Sequence, residues 1–204
     1  MDSEFAPHGK GVGKCIIFGL GFAGCAIWWF LEPVDESLSG FFAFAYLRMY
    51  DTPELQRRYI FQFANLEGGK AQFFLSASDI FTFSVTDVDG ETYPLEVPYG
   101  VNGVPIDRYI FLYCDVGVGK NNTTLCIFID GKGLKSRVFD LPIEVGGHNW
   151  QNITFGADNN GQLLAPFKVA TFGFGHQTLN GSQIQSLNAR CVQYLRDINS
   201  PAAP

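Results

Sequence analysis

Charge is scarce in this chain of 204 residues: Asp, Glu, Lys and Arg make up 17% of it, against 47% hydrophobic residues. That balance excludes a disordered chain, which combines low hydrophobicity with high net charge, and leaves ample apolar area for a core. The 14 basic residues are scattered and outnumbered by 20 acids, for a formal charge of −6. Without a basic stripe there is no surface to track phosphates, so nucleic acid is not an expected partner. The three histidines, His8, His148 and His176, are dispersed. A nucleophile elbow is missing, and Gly9-Lys10-Gly11-Val12-Gly13-Lys14 lacks both the spacing of a phosphate loop and the hydroxyl after its lysine. Glycan cleavage needs two carboxylates flanking the bond. The nearest candidate, Glu32-Pro33-Val34-Asp35-Glu36, is interrupted by Pro33 and reads as a connection. There is no internal repeat and no βαβ rhythm.

What is abundant is phenylalanine, 20 residues of it, in short runs separated by turn signals. The clearest stretch is Tyr109 to Gly131, where apolar runs at Tyr109 to Val116 and Thr124 to Ile129 flank Gly117, Gly119, Asn121 and Asn122. It reads as a β-hairpin closed by Asp130-Gly131. Further strands are expected at Phe41 to Met49, Arg58 to Ala64, Ala71 to Ser76, Ile80 to Thr86, Thr92 to Val97, Trp150 to Gly156 and Phe167 to Phe174. In Ile80 to Thr86, Phe81, Phe83 and Val85 share a core face, and Thr82, Ser84 and Thr86 share a wet one. Asp87-Val88-Asp89-Gly90-Glu91 resembles the start of a calcium loop but lacks its later acids, so a two-residue Asp89-Gly90 hairpin turn is expected.

Cys15 to Leu31 is uncharged and 17 residues long, roughly the lower limit for a membrane-spanning helix. Gly19, Gly21 and Gly24 favour instead a turn between two short buried strands, Lys14 to Phe18 and Cys25 to Leu31, so no membrane span is expected. Four of the five cysteines are symmetric about turns: Cys15 and Cys25 about Leu20, Cys114 and Cys126 about Lys120. Each pair is expected to be cross-strand neighbours, either disulfide-linked or reduced and buried. Cys191 is expected to be unpaired.

The tail is helical. Ser182 with Gln185 forms a capping-box pattern, and Ile184, Leu187, Cys191, Tyr194 or Leu195, and Ile198 follow at helical spacing before Pro201. The stripe is expected to cover one edge of the β-structure, with partner docking as the alternative. The chain therefore divides into a flexible leader over 1–13, of which Met1 to Phe5 looks cloning-derived, a β-sandwich over 14–180, and a helix over 181–199 packed on it.

In order, Phe42-Ala43-Phe44-Ala45-Tyr46-Leu47-Arg48, Arg58-Tyr59-Ile60-Phe61-Gln62-Phe63, Leu125-Cys126-Ile127-Phe128-Ile129-Asp130-Gly131, Asn152-Ile153-Thr154-Phe155-Gly156-Ala157-Asp158 and Leu179-Asn180-Gly181-Ser182-Gln183-Ile184 together resemble a laminin-G-like, concanavalin A-like lectin domain. The family's early-strand tryptophan is replaced near Tyr46, and the Cys15 to Leu31 segment has no counterpart. The resemblance implies an all-β, two-sheet antiparallel jelly-roll-like sandwich with a C-terminal helix, which binds rather than catalyses. Its implied ligand is carbohydrate at a loop rim or sheet face, with a cell-surface or extracellular protein as the alternative partner and a glycan hydrolase or lyase third. Asp158, Asn159 and Asn160 offer the hard oxygen donors that Ca²⁺ prefers, though Asp-Asn-Asn-Gly is also a good turn. His148 and Trp150 could add a polar contact and an aromatic platform for a sugar. Sequons at Asn121, Asn122, Asn152 and Asn180 agree with an extracellular or cell-surface protein.

Overall fold

Side chains that alternate along each run sort the strands into two layers. The computed structural model describes residues 16–18, 27–29, 40–50, 57–64, 68–100, 103–143, 152–156, 167–175 and 178–199. In chain order the elements are β1 (Ile16–Phe18), β2 (Ile27–Trp29), β3 (Gly40–Met49), β4 (Arg57–Ala64), β5 (Lys70–Ser76) and β6 (Ile80–Thr86). They continue with β7 (Thr92–Pro98), β8 (Ile110–Val118), β9 (Thr123–Ile129), β10 (Gly133–Phe139), β11 (Asn152–Phe155), β12 (Phe167–Gly175) and α1 (Gly181–Asn199). The first sheet has the order β1-β12-β3-β8-β9-β10, the second β2-β11-β4-β5-β6-β7. All pairings are antiparallel. The fold is a two-sheet antiparallel β-sandwich with one helix.

The inward faces form one core, with Phe41, Ala43, Ala45, Leu47, Leu112 and Ile127 of the first sheet opposed to Phe61, Phe73, Phe81 and Phe83 of the second. Each fully buried side chain of this size contributes about 1.5–3 kcal/mol. Phe155 of β11 stacks on Phe172 of β12 with centroids 4.5 Å apart, joining the sheets. β3 is apolar on both faces because one meets the second sheet and the other meets α1. Its other set, Phe42, Phe44 and Tyr46, joins Phe111, Tyr113, Ile184 and Cys191 in a second cluster on the outer face of the first sheet. The helix thus covers a sheet face and not an edge, since its stripe meets an apolar surface several strands wide.

The main hairpin forms as expected, but its register does not. Gly119 donates to the Asn122 carbonyl across a four-residue loop, and Val118 pairs with Thr123. An even loop shifts the centre of symmetry off Lys120, so Asp115 faces Cys126 and Cys114 faces Ile127. A one-residue slip turns every side chain to the other face: Cys114 points into the core while Cys126 lies on the outer face. Neither is in a disulfide, nor is Cys191. Alkylation after unfolding without reductant should label all three, read by peptide mass spectrometry; a Cys114–Cys126 disulfide would require a different register.

Other expectations also shift. β1 and β2 do not form a hairpin: β1 pairs with β12 in one sheet and β2 with β11 in the other. The symmetry about Leu20 therefore carries no cross-strand meaning, and Cys15 and Cys25 themselves lie outside the described residues. The β6–β7 connection is not a two-residue turn. Asp87 donates to the Glu91 carbonyl, Gly90 donates to the Asp87 carbonyl, and Gly90 takes φ +89°, so the loop spans Val88 to Gly90 with glycine in the left-handed position. Asp87 closes that turn, accepting from the Glu91 amide and the Tyr93 hydroxyl. The helix cap lies two residues before Ser182: Asn180 accepts from Gln183 N–H at 3.0 Å, while Gln183 Oε1 accepts from Asn180 N–H at 2.9 Å.

β10 was not expected, because five of its seven residues are exposed and its pattern is polar. It is an edge strand. The opposite sheet ends on β7 with Pro94 and Pro98, which withhold ladder donors, and Lys135 and Arg137 on β10 likewise discourage edge pairing. Arg137 closes that side of the sandwich by donating to the Pro94 carbonyl at 2.9 Å and stacking over Phe139.

Candidate functional site

His148, Trp150, Asp158, Asn159 and Asn160 lie outside the described residues. Between these two groups runs β11, which sits in the second sheet between β2 and β4. Among the described residues, no group of three or more His, Cys, Asp or Glu is placed to hold a metal ion.

The two outer faces differ in chemistry. That of the first sheet is aromatic and carries α1. On the second, register aligns Thr154, Gln62, Gln72 and Ser84 in one row across β11, β4, β5 and β6. A flanking row holds Tyr59, Phe74, Thr82 and Glu96, and another holds Lys70, Thr86 and Thr92. The hydroxyl side of β6 is not wet: Thr82, Ser84 and Thr86 are each 5% exposed. They are short side chains sunk between the longer Phe74, Gln72, Lys70 and Glu96 of neighbouring strands. Gln62 and Thr154 are buried and engaged, so they hold the row in place. Gln72 and Lys70 are half-buried, and Glu96 and Arg57 are exposed.

A β-bulge shapes one end of this face. The register of β4 against β5 shifts between Tyr59 and Phe61, which leaves Ile60 as the extra residue and turns Tyr59 outward beside Phe74. Their ring centroids are 5.5 Å apart, and the Arg57 guanidinium lies 4.9 Å over the Phe74 ring. Arg58, on the opposite face, bridges the sheets at this end: it meets Asp79 at 3.3 Å and donates to the Tyr50 carbonyl at 3.4 Å. Asp79 is held at φ +55° and accepts through its carbonyl from Tyr99 N–H. The side chains this face presents to solvent, Gln72, Lys70, Arg57 and Glu96, offer amide, cationic and carboxylate groups that can meet the hydroxyls of a sugar, while the Tyr59–Phe74 pair lies buried beneath Arg57. Sequence reading missed this face because the bulge is invisible in Arg58 to Ala64; the alternation of Lys70, Gln72 and Phe74 was the available signal.

A second polar cluster lies under the apolar outer face of the first sheet. Tyr113 Oη donates to Asp115 Oδ2 at 2.7 Å and accepts from Leu179 N–H at 3.1 Å, and the Cys126 thiol bonds the same carboxylate. Burial pushes the Asp115 carboxyl up to about 6, despite the opposing hydrogen bonds from Tyr113 and Cys126. Burial, with the neighbouring carboxylate, pushes the Cys126 thiol up to about 12, so it is a poor nucleophile.

No family model and no curated sequence matches the chain. Solved structures do. The CBM40 domain of the Ruminococcus gnavus IT-sialidase, bound to α2,3-sialyllactose, aligns over 84% of this chain and 97% of that one, with a TM-score of 0.60 and 12% identity. The shared fold is a two-sheet antiparallel β-sandwich. The binding domain of botulinum neurotoxin DC, in complex with SialylT, aligns over 88% of this chain and 46% of that one at a TM-score of 0.63 and 12% identity. The binding domain of botulinum neurotoxin serotype D gives 0.62 and 15% over 85% of this chain and 42% of that one. At these identities the likeness is one of fold.

Proposed function

We propose that the chain is a non-catalytic glycan-binding module of lectin or laminin-G type, working outside the cell or at its surface. The observation that carries this reading is the outer face of the second sheet, where Gln72, Lys70 and Arg57 stand accessible around a buried polar row and the Tyr59–Phe74 pair. In that role Gln72 exchanges hydrogen bonds with sugar hydroxyls, and Arg57, held over the buried Phe74 ring, meets an anionic substituent. His148, Trp150, Asp158, Asn159 and Asn160 are proposed as further ligand contacts, with Ca²⁺ held by the last three as the proposed cofactor. Glu96 is the single carboxylate in these three rows, which favours binding over cleavage by a carboxylate pair. The sialylated ligands of two similar domains make sialylated glycans the first probes. Sequons at Asn121 and Asn122 sit in an exposed turn, in keeping with this setting.

The test is a glycan array, with calcium and with chelator, on wild type and on Gln72→Ala, Arg57→Ala, Trp150→Ala and Asp158→Ala. Reproducible binding that falls tenfold or more with Gln72→Ala, about 1.4 kcal/mol, supports the sheet face as the site. Loss on chelation and with Asp158→Ala supports the calcium loop. Silence of the folded wild type across the array overturns the glycan reading.

A further inference from the structure

The Asp115 cluster has no part in the proposed ligand face, since it lies on the other sheet. It is 2% exposed, on a strand otherwise built of apolar residues. The groups around it come from every neighbouring element. On β8 the Tyr113 hydroxyl donates to it, and Cys114 is turned to the core. From β9 comes the Cys126 thiol, and β3 contributes Phe42, which pairs with Asp115 and carries no charge. The segment entering α1 contributes the Leu179 amide, bonded to the same Tyr113 oxygen. From α1, Cys191 and Arg196 lie near Tyr46 on the same face. Neither salt bridge formed among the described residues includes Asp115. The carboxylate is thus tied through one hydroxyl to the residue just before the helix cap.

We infer that Asp115, acting through the Tyr113 hydroxyl, makes the seating of α1 on the first sheet depend on pH, tighter in mild acid than at neutral pH. The sign follows from burial. The Thr178 methyl lies over Gly117 and Leu179 N–H meets Tyr113, the positions on either side of Asp115 on this face; with this segment and α1 seated, Asp115 is out of water and its carboxyl is pushed up to about 6, and with them lifted it returns towards its ordinary value of 3.8. Seating therefore favours the protonated form, and raising the pH through 6 favours release. The device consists of a buried acid, a tyrosine relay and an amphipathic helix whose stripe, Ile184, Leu187, Cys191 and Leu195, packs on Phe42, Phe44, Tyr46 and Phe111.

Hydrogen exchange of the whole chain between pH 5 and pH 8, expressed as protection factors corrected for intrinsic rates, tests this. Protection of α1 amides is expected to fall roughly tenfold over that range and to lie below that of β5 and β6 amides, which report the pH-dependent global unfolding. Asp115→Asn should keep α1 equally protected at every pH. Tyr113→Phe, which keeps the ring and removes the relay oxygen, should lower α1 protection throughout. Flat α1 protection in wild type, an unchanged slope in Asp115→Asn, or α1 amides that exchange only together with those of β5 and β6 at equal protection would each overturn the latch. Unchanged protection in Tyr113→Phe would overturn the relay.

Discussion

Phe155→Ala is expected to destabilise the fold by about 3–5 kcal/mol, a large share of the stability of a domain this size. The ring is 3% exposed and stacks on Phe172 across the sandwich. It also meets Phe61 and Phe167, each with centroids 5.2 Å away. Removing it opens a cavity where β4, β11 and β12 converge, and fixed strands on three sides leave little room for collapse. Denaturant unfolding followed by fluorescence measures this as a lower midpoint at unchanged slope. Phe128→Ala, on the half-buried outer face, is the comparison and should cost markedly less. A loss below about 1.5 kcal/mol at Phe155, the range of a minor core change, would mean that the sheets are not joined there.

Asp115→Asn should have the opposite effect, and only above mild acid. Because the folded-state carboxyl is raised from 3.8 to about 6, its contribution to stability is fully present below pH 3.8 and is lost as the pH rises through 6. Between pH 4 and pH 8 the wild type is therefore expected to lose about 2 kcal/mol relative to the asparagine variant, at 1.36 kcal/mol per unit. Melting temperatures of the two proteins at pH 4, 6 and 8 provide the measurement. Near coincidence at pH 4 and a higher value for Asp115→Asn at pH 8 is the expected pattern. A wild type that is the more stable at pH 8 would show that the carboxylate is stabilised by its hydrogen bonds more than burial penalises it.

Strand existence was legible because it is written locally. Phe81, Phe83 and Val85 announce a core face by their period alone, and β6 spans Ile80–Thr86 as expected. The helix was legible in the same way, although its cap was read two residues late, since Asn180 with Gln183 and Ser182 with Gln185 are both acceptable pairs. Register was not legible. Symmetry of Cys114 and Cys126 about Lys120 presumed an odd loop, and the four-residue connection with Gly119 bonded to Asn122 moved every pair by one. That single residue separates a disulfide framework from a thiol hydrogen-bonded to a buried carboxylate. The polar face of the second sheet was hidden for a related reason, because the bulge at Ile60 decides which of Arg57, Arg58 and Tyr59 face outward.

The sequence by itself determined that this chain is a β-sandwich with a terminal helix, because alternation and helical spacing are properties of neighbours along the chain. Only the tertiary structure decided that β1 and β2 belong to different sheets, that β10 closes one sheet as an exposed edge, and that α1 lies over a face. Those choices rest on hydrogen bonds and packing between residues far apart in sequence. The hairpin from Tyr109 to Gly131 shows both parts: its strands follow from its own residues, while the burial of Asp115 follows from β3 on one side and from the segment entering α1 above it.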